Sequence, residues 1–226
     1  MAIPKPRSKK QVLIVDDHPV MRKGLAQVID QEPDLAVCGE ADTACQALNS
    51  IAARKPDLVL ADISLPDKSG LELIKDIQVY HPGLPVLAFS MHDEAIFAGR
   101  VLRAGGRGYL MKQATCATLL HAIRQVLAGE IYVSQKMSSK ILELFSGRRS
   151  ESVDSPAERL SDREFEIFQL IGQGAATREM AERLHLSVRT VEVHRGNIKK
   201  KLKLKNATEL VRCAVRWSEA EGLGWG

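Results

Sequence analysis

Between Gln11 and Ala128 short runs of aliphatic and β-branched residues alternate with longer stretches of helical period, and no other feature constrains the fold as tightly. Alternation of this kind reads as βα units on a parallel sheet, because parallel neighbours need a long crossover to return the chain to the same end. Five strands are predicted at Gln11–Val15, Leu35–Glu40, Leu58–Ala61, Val86–Phe89 and Gly108–Met111. Helices are predicted near Val20–Asp30, Ala44–Arg54, Leu71–Tyr80, Glu94–Ala104 and Thr118–Ala128. Breakers agree with these bounds: Pro33, Pro56, Pro82 and Pro85 precede strands, and Gly105-Gly106 closes a helix.

At 226 residues the chain is longer than one usual domain, so a second unit is expected. Residues 1–10 read as a basic disordered head and 11–128 as the α/β domain. Residues 129–159 read as a connecting helix, carrying Met137, Ile141, Leu144 and Phe145, followed by a polar linker from Gly147 to Arg159. From Ser161 onward the period is helical, opened by the capping box Ser161-Asp162-Arg163-Glu164, so 160–226 is expected to be a small all-α domain.

Charge separates the two halves. The head carries +4, residues 11–145 hold thirteen basic against sixteen acidic groups, and residues 160–226 hold twelve against nine. Ser187–Lys205 alone contains seven basic residues and one acidic, a density suited to a polyanion. No apolar run approaches the roughly 18 residues a membrane helix needs, and no signal-peptide stretch follows the head, so a cytoplasmic chain without a membrane partner is expected. Cys38, Cys45, Cys116 and Cys213 show no metal or disulfide spacing.

Polar residues follow four of the predicted strands: Asp16 and Asp17 the first, Asp62 the third, Ser90 the fourth and Lys112 the fifth. Ligands of open parallel sheets bind beyond the carboxyl ends of the strands, so these groups are expected in one crevice. Singly, each has a plainer role as helix cap, turn residue or surface charge; together they need one explanation. Three gathered carboxylates repel, and a hard cation with oxygen ligands relieves this, Mg²⁺ being suited because it takes one or two carboxylates, waters and phosphate oxygens. An ionised Asp can then attack phosphorus without a general base. His18, His81 and His92 lack ligand spacing and read as surface or loop residues.

The strings LIVDDHPVMRKGL, DLVLADISLPDKSGLELI, VLAFSMHDE and GGRGYLMKQA resemble the receiver domain of two-component response regulators. The resemblance implies a flavodoxin-like, doubly wound five-stranded parallel sheet. It implies that Asp62 accepts a phosphoryl group from a sensor histidine kinase. It further implies that Asp16, Asp17, Asp62 and the backbone carbonyl of Ser64 hold Mg²⁺, and that Ser90, Tyr109 and Lys112 sense the phosphoryl group.

In the second half, helices are predicted at Asp162–Gln173, Arg178–Leu184, Val188–Leu202 and Ala207–Trp217, with Thr177 and Ser187 as caps. A short helix, the turn His185-Leu186-Ser187 and a longer basic helix form a helix-turn-helix. At about 100° per residue, Val188, Val191, Ile198 and Leu202 share a packing face, while Arg189, Val193, Gly196 and Lys200 lie opposite, flanked by Glu192. Arg189, Glu192, Val193 and Gly196 are expected near base edges, with Glu192 able to accept from a cytosine amino group, and Thr190 is expected among the DNA-binding residues. His194 and Arg195 are lateral, and Lys199, Lys200, Lys201, Lys203 and Lys205 are expected at phosphates.

The run from LSDREFEIF to NATELV resembles the DNA-binding domain of the LuxR/NarL/FixJ class, which implies binding of double-stranded DNA through the major groove as a homodimer. It also implies a dimer contact along the last helix at Leu210, Val211 and Ala214. The combined expectation is a phosphorylation-controlled transcription regulator rather than a turnover enzyme. A Mg²⁺-dependent phosphohydrolase is the competing reading, and Ser64 stands where it would need a second acid.

Overall fold

The computed structural model describes residues 9–139 and 159–220. Residues 1–8, the connecting helix through Ile141, Leu144 and Phe145, and the linker up to residue 158 lie outside the described residues. The chain forms two compact units, Met1–Arg148 and Arg149–Gly226.

In the first unit β1 (Lys10–Val15), β2 (Leu35–Ala41), β3 (Leu58–Ala61), β4 (Val86–Ser90) and β5 (Gly108–Met111) form one parallel sheet in the order β2-β1-β3-β4-β5. Helices α1 (Pro19–Asp30), α2 (Ala44–Arg54), α3 (Gly70–Tyr80), α4 (Glu94–Arg103) and α5 (Cys116–Leu127) supply the crossovers. Val12, Ile14, Leu58, Leu60, Leu87 and Phe89 pack with Leu25 and Ile29 of α1 and with Leu119, Ile123 and Val126 of α5. The alternate residues Leu13, Val15, Val59 and Ala88 are equally buried, because the pleat turns them to the other face, where α2, α3 and α4 pack side by side. A sheet covered on both faces explains why its strands read as unbroken apolar runs.

The basic head ends earlier than expected. Lys10 is the first residue of β1, its ammonium 2.7 Å from Asp57, which also accepts the Gln11 N–H at 2.8 Å. Lys9 donates to the Glu32 carbonyl at 2.8 Å. These bonds tie Lys10 to the segment ahead of β3 and Lys9 to the turn between α1 and β2.

Local chemistry sets the helix starts. Thr43, Ser69, Asp93 and Thr115 each cap the following helix by accepting a backbone N–H. After α5 the chain returns along the outer edge of β5: Tyr109 N–H donates to the Tyr132 carbonyl at 2.9 Å and Tyr132 N–H to the Arg107 carbonyl at 3.0 Å. That covers an edge otherwise open to pairing. Ser134 N–H then donates to Glu94 at 2.6 Å, ahead of a helical stretch over residues 135–139.

The second unit contains α6 (Asp162–Gly172), α7 (Thr177–Arg183), α8 (Val188–Lys201) and α9 (Ala207–Ala220). The capping box at α6 is formed, with Ser161 N–H donating to Glu164 at 2.9 Å. Ser187 caps α8 through the Thr190 N–H at 3.0 Å. Thr177 does not cap α7; Ala176 holds the cap position, and Thr177 is the first helical residue. α9 lies against α6, where a side chain at Gly172 would come 2.7 Å from the Ala214 carbonyl. The Trp217 ring meets Phe165 at 5.3 Å and Phe168 at 5.8 Å. Among the described residues no helix is long and apolar enough to cross a membrane.

Candidate functional site

The register of the sheet assembles the first site. Val15 pairs with Ala61 and Ser90 with Met111, so the residues that follow emerge together at the carboxyl edge. Asp62 N–H donates to the Val15 carbonyl and Lys112 N–H to the Ser90 carbonyl, both at 2.8 Å. β1 has β2 on one side and β3 on the other, and the crevice opens at this change of direction.

Asp16, Asp62 and Ser90 are buried. The Lys112 ammonium, 3% exposed, bridges the first two, at 2.7 Å from Asp16 Oδ2 and 2.6 Å from Asp62 Oδ2. Burial disfavours the charged lysine, but the two carboxylates outweigh it and hold its pKa above the ordinary value. Burial pushes the Asp62 carboxyl up, against the downward pull of Lys112. Asp17 lies beside them, and His18 Nδ1 sits 2.6 Å from its Oδ1 and 3.2 Å from Asp16 Oδ1. Ser64 N–H donates to Asp62 Oδ1 at 3.2 Å.

Ligand atoms of Asp16, Asp17, His18 and Asp62 lie within 4.8 Å of one another. Three of these four donors are hard carboxylate oxygens with a net negative charge, and the Lys112 ammonium that touches two of them marks where positive charge is needed. The donor set fits a hard divalent cation.

Sequence reasoning missed two neighbours of this crevice, His92 and Gly70. His18 stands at the surface and at the cap position of α1, as expected, its side chain 65% exposed, and its ring also reaches the two acids. His92 Nε2 lies 3.0 Å from Ser64 Oγ, and its ring stacks on Phe97 at 4.6 Å. Burial pushes the His92 imidazole down to about 4, so it is neutral near pH 7. Gly70 is close-packed behind Asp62: a Cβ there would lie 2.1 Å from the Asp62 carbonyl oxygen. Only the position of His18 directly after the acid pair gave a sequence signal. Tyr109 is buried with its hydroxyl donating to the His92 carbonyl at 2.7 Å, and burial raises its pKa.

The second site is the outer face of α8. Arg189, Glu192, Val193, Lys200 and Lys203 are exposed, while Thr190, His194, Arg195, Gly196 and Lys199 are half-buried. Val191 and Ile198 are fully buried, as the periodicity requires. Val188 departs from it, being 48% exposed, because the first turn of α8 projects past the core. Lys201 is withdrawn from the basic run: it pairs with Glu164 of α6 at 2.6 Å. The dimer stripe needs correction too. Leu210 and Ala214 are completely buried in their own unit by packing of α9 on α6, and of the three expected contacts only Val211, 41% exposed, faces outward.

Known families and structures agree with this arrangement. Residues 12–124 match the response regulator receiver domain, and residues 158–214 match the luxR family of bacterial regulatory proteins. The chain is 34% identical over 210 residues to the oxygen regulatory protein NreC of Staphylococcus carnosus, covering 91% of this chain and 97% of that protein. A LuxR-family two-component response regulator from Aurantimonas sp. superposes with a TM-score of 0.57 at 33% identity, covering 62% of this chain and 99% of that one. RcsB of Salmonella enterica serovar Typhimurium, bound to promoter rprA in the presence of phosphomimetic BeF3⁻, superposes with a TM-score of 0.59 at 25% identity, covering 92% and 99%. A receiver domain followed by a helix-turn-helix domain makes this chain a member of the LuxR-class two-component response regulators, which are transcription regulators.

Proposed function

We propose that Asp62 accepts a phosphoryl group from a sensor histidine kinase and that the modified receiver controls DNA binding by α8. The observation that carries this is the ammonium of Lys112 held between Asp62 and Asp16 at the carboxyl edge of the sheet. An Asp62 oxygen attacks phosphorus, the P–N bond of the donor phosphohistidine breaks, and the imidazole keeps the electron pair. Lys112 stabilises charge that develops on the phosphoryl oxygens. Asp16, Asp17, Asp62 and the Ser64 carbonyl would hold Mg²⁺, which supplies further charge neutralisation when bound. Ser90 and Tyr109 carry the change to the face formed by α4 and β5, which biases a two-state receiver.

On the DNA side, Arg189, Glu192 and Val193 read base edges in the major groove, and Lys199, Lys200 and Lys203 contact phosphates. Phosphorylation favours a homodimer, for which α9 offers Val211 rather than Leu210 or Ala214. The protein acts in the cytoplasm and modifies itself rather than turning over external substrates.

A small phosphodonor with Mg²⁺ tests the reading. Wild type should acquire a hydroxylamine-labile label and gain affinity for its target DNA, and Asp62→Asn should do neither. Equal labelling of the two proteins, or equal DNA affinity with and without the donor, would overturn it.

A further inference from the structure

One hydroxyl joins the two helices of the helix-turn-helix. The side chain of Thr177, the first residue of α7, makes no capping bond and reaches α8 instead. Arg195 Nη1 lies 2.7 Å from Thr177 Oγ1, which lies 3.1 Å from Glu192 Oε1. A guanidinium can only donate and a carboxylate can only accept, and a hydroxyl carries one proton. The direction is therefore fixed: Arg195 donates to Thr177, and Thr177 donates to Glu192. Arg195 Nη1 is 3.8 Å from Glu192 Oε1, too far for a direct bond, so the link runs through the threonine.

Exposure along this relay is graded. The Arg195 side chain is 17% exposed and that of Glu192 57%, so the cation is drawn in while the carboxylate is presented outward. A free glutamate on a helix surface samples several rotamers, and bonds to a charged acceptor are among the stronger ones. We propose that Thr177 is a positioning residue for sequence specificity, holding the Glu192 carboxylate in one orientation to accept from a base amino group of the cytosine type. This rests on the reading of α8 as the base-reading helix. Arg195 then serves as the anchor of the relay rather than as a base contact. The second helix-turn-helix element thus contributes to base choice without touching a base.

The test uses the full-length protein activated with phosphodonor, in wild-type, Thr177→Val, Thr177→Ser and Glu192→Ala forms. Each is selected against a randomised duplex library and then titrated on the preferred duplex and its single-base variants. Thr177→Val keeps the shape and removes the hydroxyl. It should lower discrimination at the position read by Glu192 by roughly five- to tenfold, while Thr177→Ser stays within about twofold of wild type. The salt dependence of binding should be the same in all four proteins. Wild-type discrimination in Thr177→Val, with Glu192→Ala losing it, overturns the inference and leaves α8 as the reader. Wild-type discrimination in both overturns the two together. An equal loss of affinity on every duplex, unrelieved in Thr177→Ser, reveals a structural role only and also overturns it.

Discussion

Asp62 is held in place from behind as firmly as from the front. Lys112 and the Ser64 N–H contact its carboxylate, and Gly70 closes on its backbone, with the Gly70 N–H donating to the Ile63 carbonyl at 2.7 Å. A methyl group at Gly70 would strike backbone that cannot turn aside. Gly70→Ala should therefore cost about 1–3 kcal/mol and slow labelling of Asp62, as read by denaturant unfolding and by phosphodonor kinetics. Gly24, in the interior of α1, meets nothing within 4 Å of a built Cβ. Gly24→Ala should leave labelling unchanged and stabilise the unit by about 0.5–1 kcal/mol. Stabilisation by both substitutions to the same extent would show that Gly70 is only a helix glycine. Neither glycine announces its role in the sequence, because the distinction is made by a loop that contacts Gly70 in space.

At the scale of elements, the start of α6 and the end of α8 share one carboxylate. Glu164, 4% exposed, accepts the Ser161 N–H and pairs with Lys201. Burial alone raises its pKa, but the bonds from Lys201 and Ser161 outweigh it, and the net shift is downward. A carboxyl with a depressed folded pKa stabilises above its unfolded value of about 4.3, and the contribution is lost as pH falls through the folded pKa. Glu164→Gln should thus destabilise the second unit by about 1 kcal/mol at pH 7, a figure reduced because the Lys201 ammonium is partly solvated. The difference from wild type should shrink as pH falls below the unfolded value and through the lowered folded pKa. Trp217 packs on Phe165 and Phe168 in this unit, and the first 216 residues contain no tryptophan, so tryptophan fluorescence follows it in the intact protein. A gap that is independent of pH across the acid range would show that the carboxylate charge is not the cause. The ends of α7 and α8 fall at the expected residues, with Leu184 and Leu202 as caps, but the backbone that closes them carries no glycine signal. His185 and Lys203 close them at φ of 51° and 56° where glycine is usual, with Leu186 N–H donating to the Ala181 carbonyl and Leu204 N–H to the Lys199 carbonyl, both at 2.8 Å.

Across the whole molecule, a net charge of +4 conceals an acidic receiver and a basic DNA-binding unit. The two surfaces answer to different partners, and salt separates them. Replacing Lys199, Lys200 and Lys203 by Ala should weaken binding to every duplex and flatten the plot of log affinity against log salt by roughly two to three. Lys201→Ala should change that slope far less, because its ammonium is already committed to Glu164. Fluorescence anisotropy at several salt concentrations would measure both, and an unchanged slope in the triple variant would remove the phosphate role. The sequence by itself determined the strands, the order of the helices and the strand ends at which Asp16, Asp17, Asp62, Ser90 and Lys112 stand. Aliphatic runs, capping residues and the shared register of parallel strands are local or repeating signals. Only the tertiary structure decided that Leu210 and Ala214 belong to the core, that Lys201 serves Glu164, and that Thr177 addresses Glu192. Each of those outcomes depends on which face of one helix meets another, and partners such as Thr177 and Glu192, 15 residues apart, or Glu164 and Lys201, 37 apart, leave no periodic trace of the meeting.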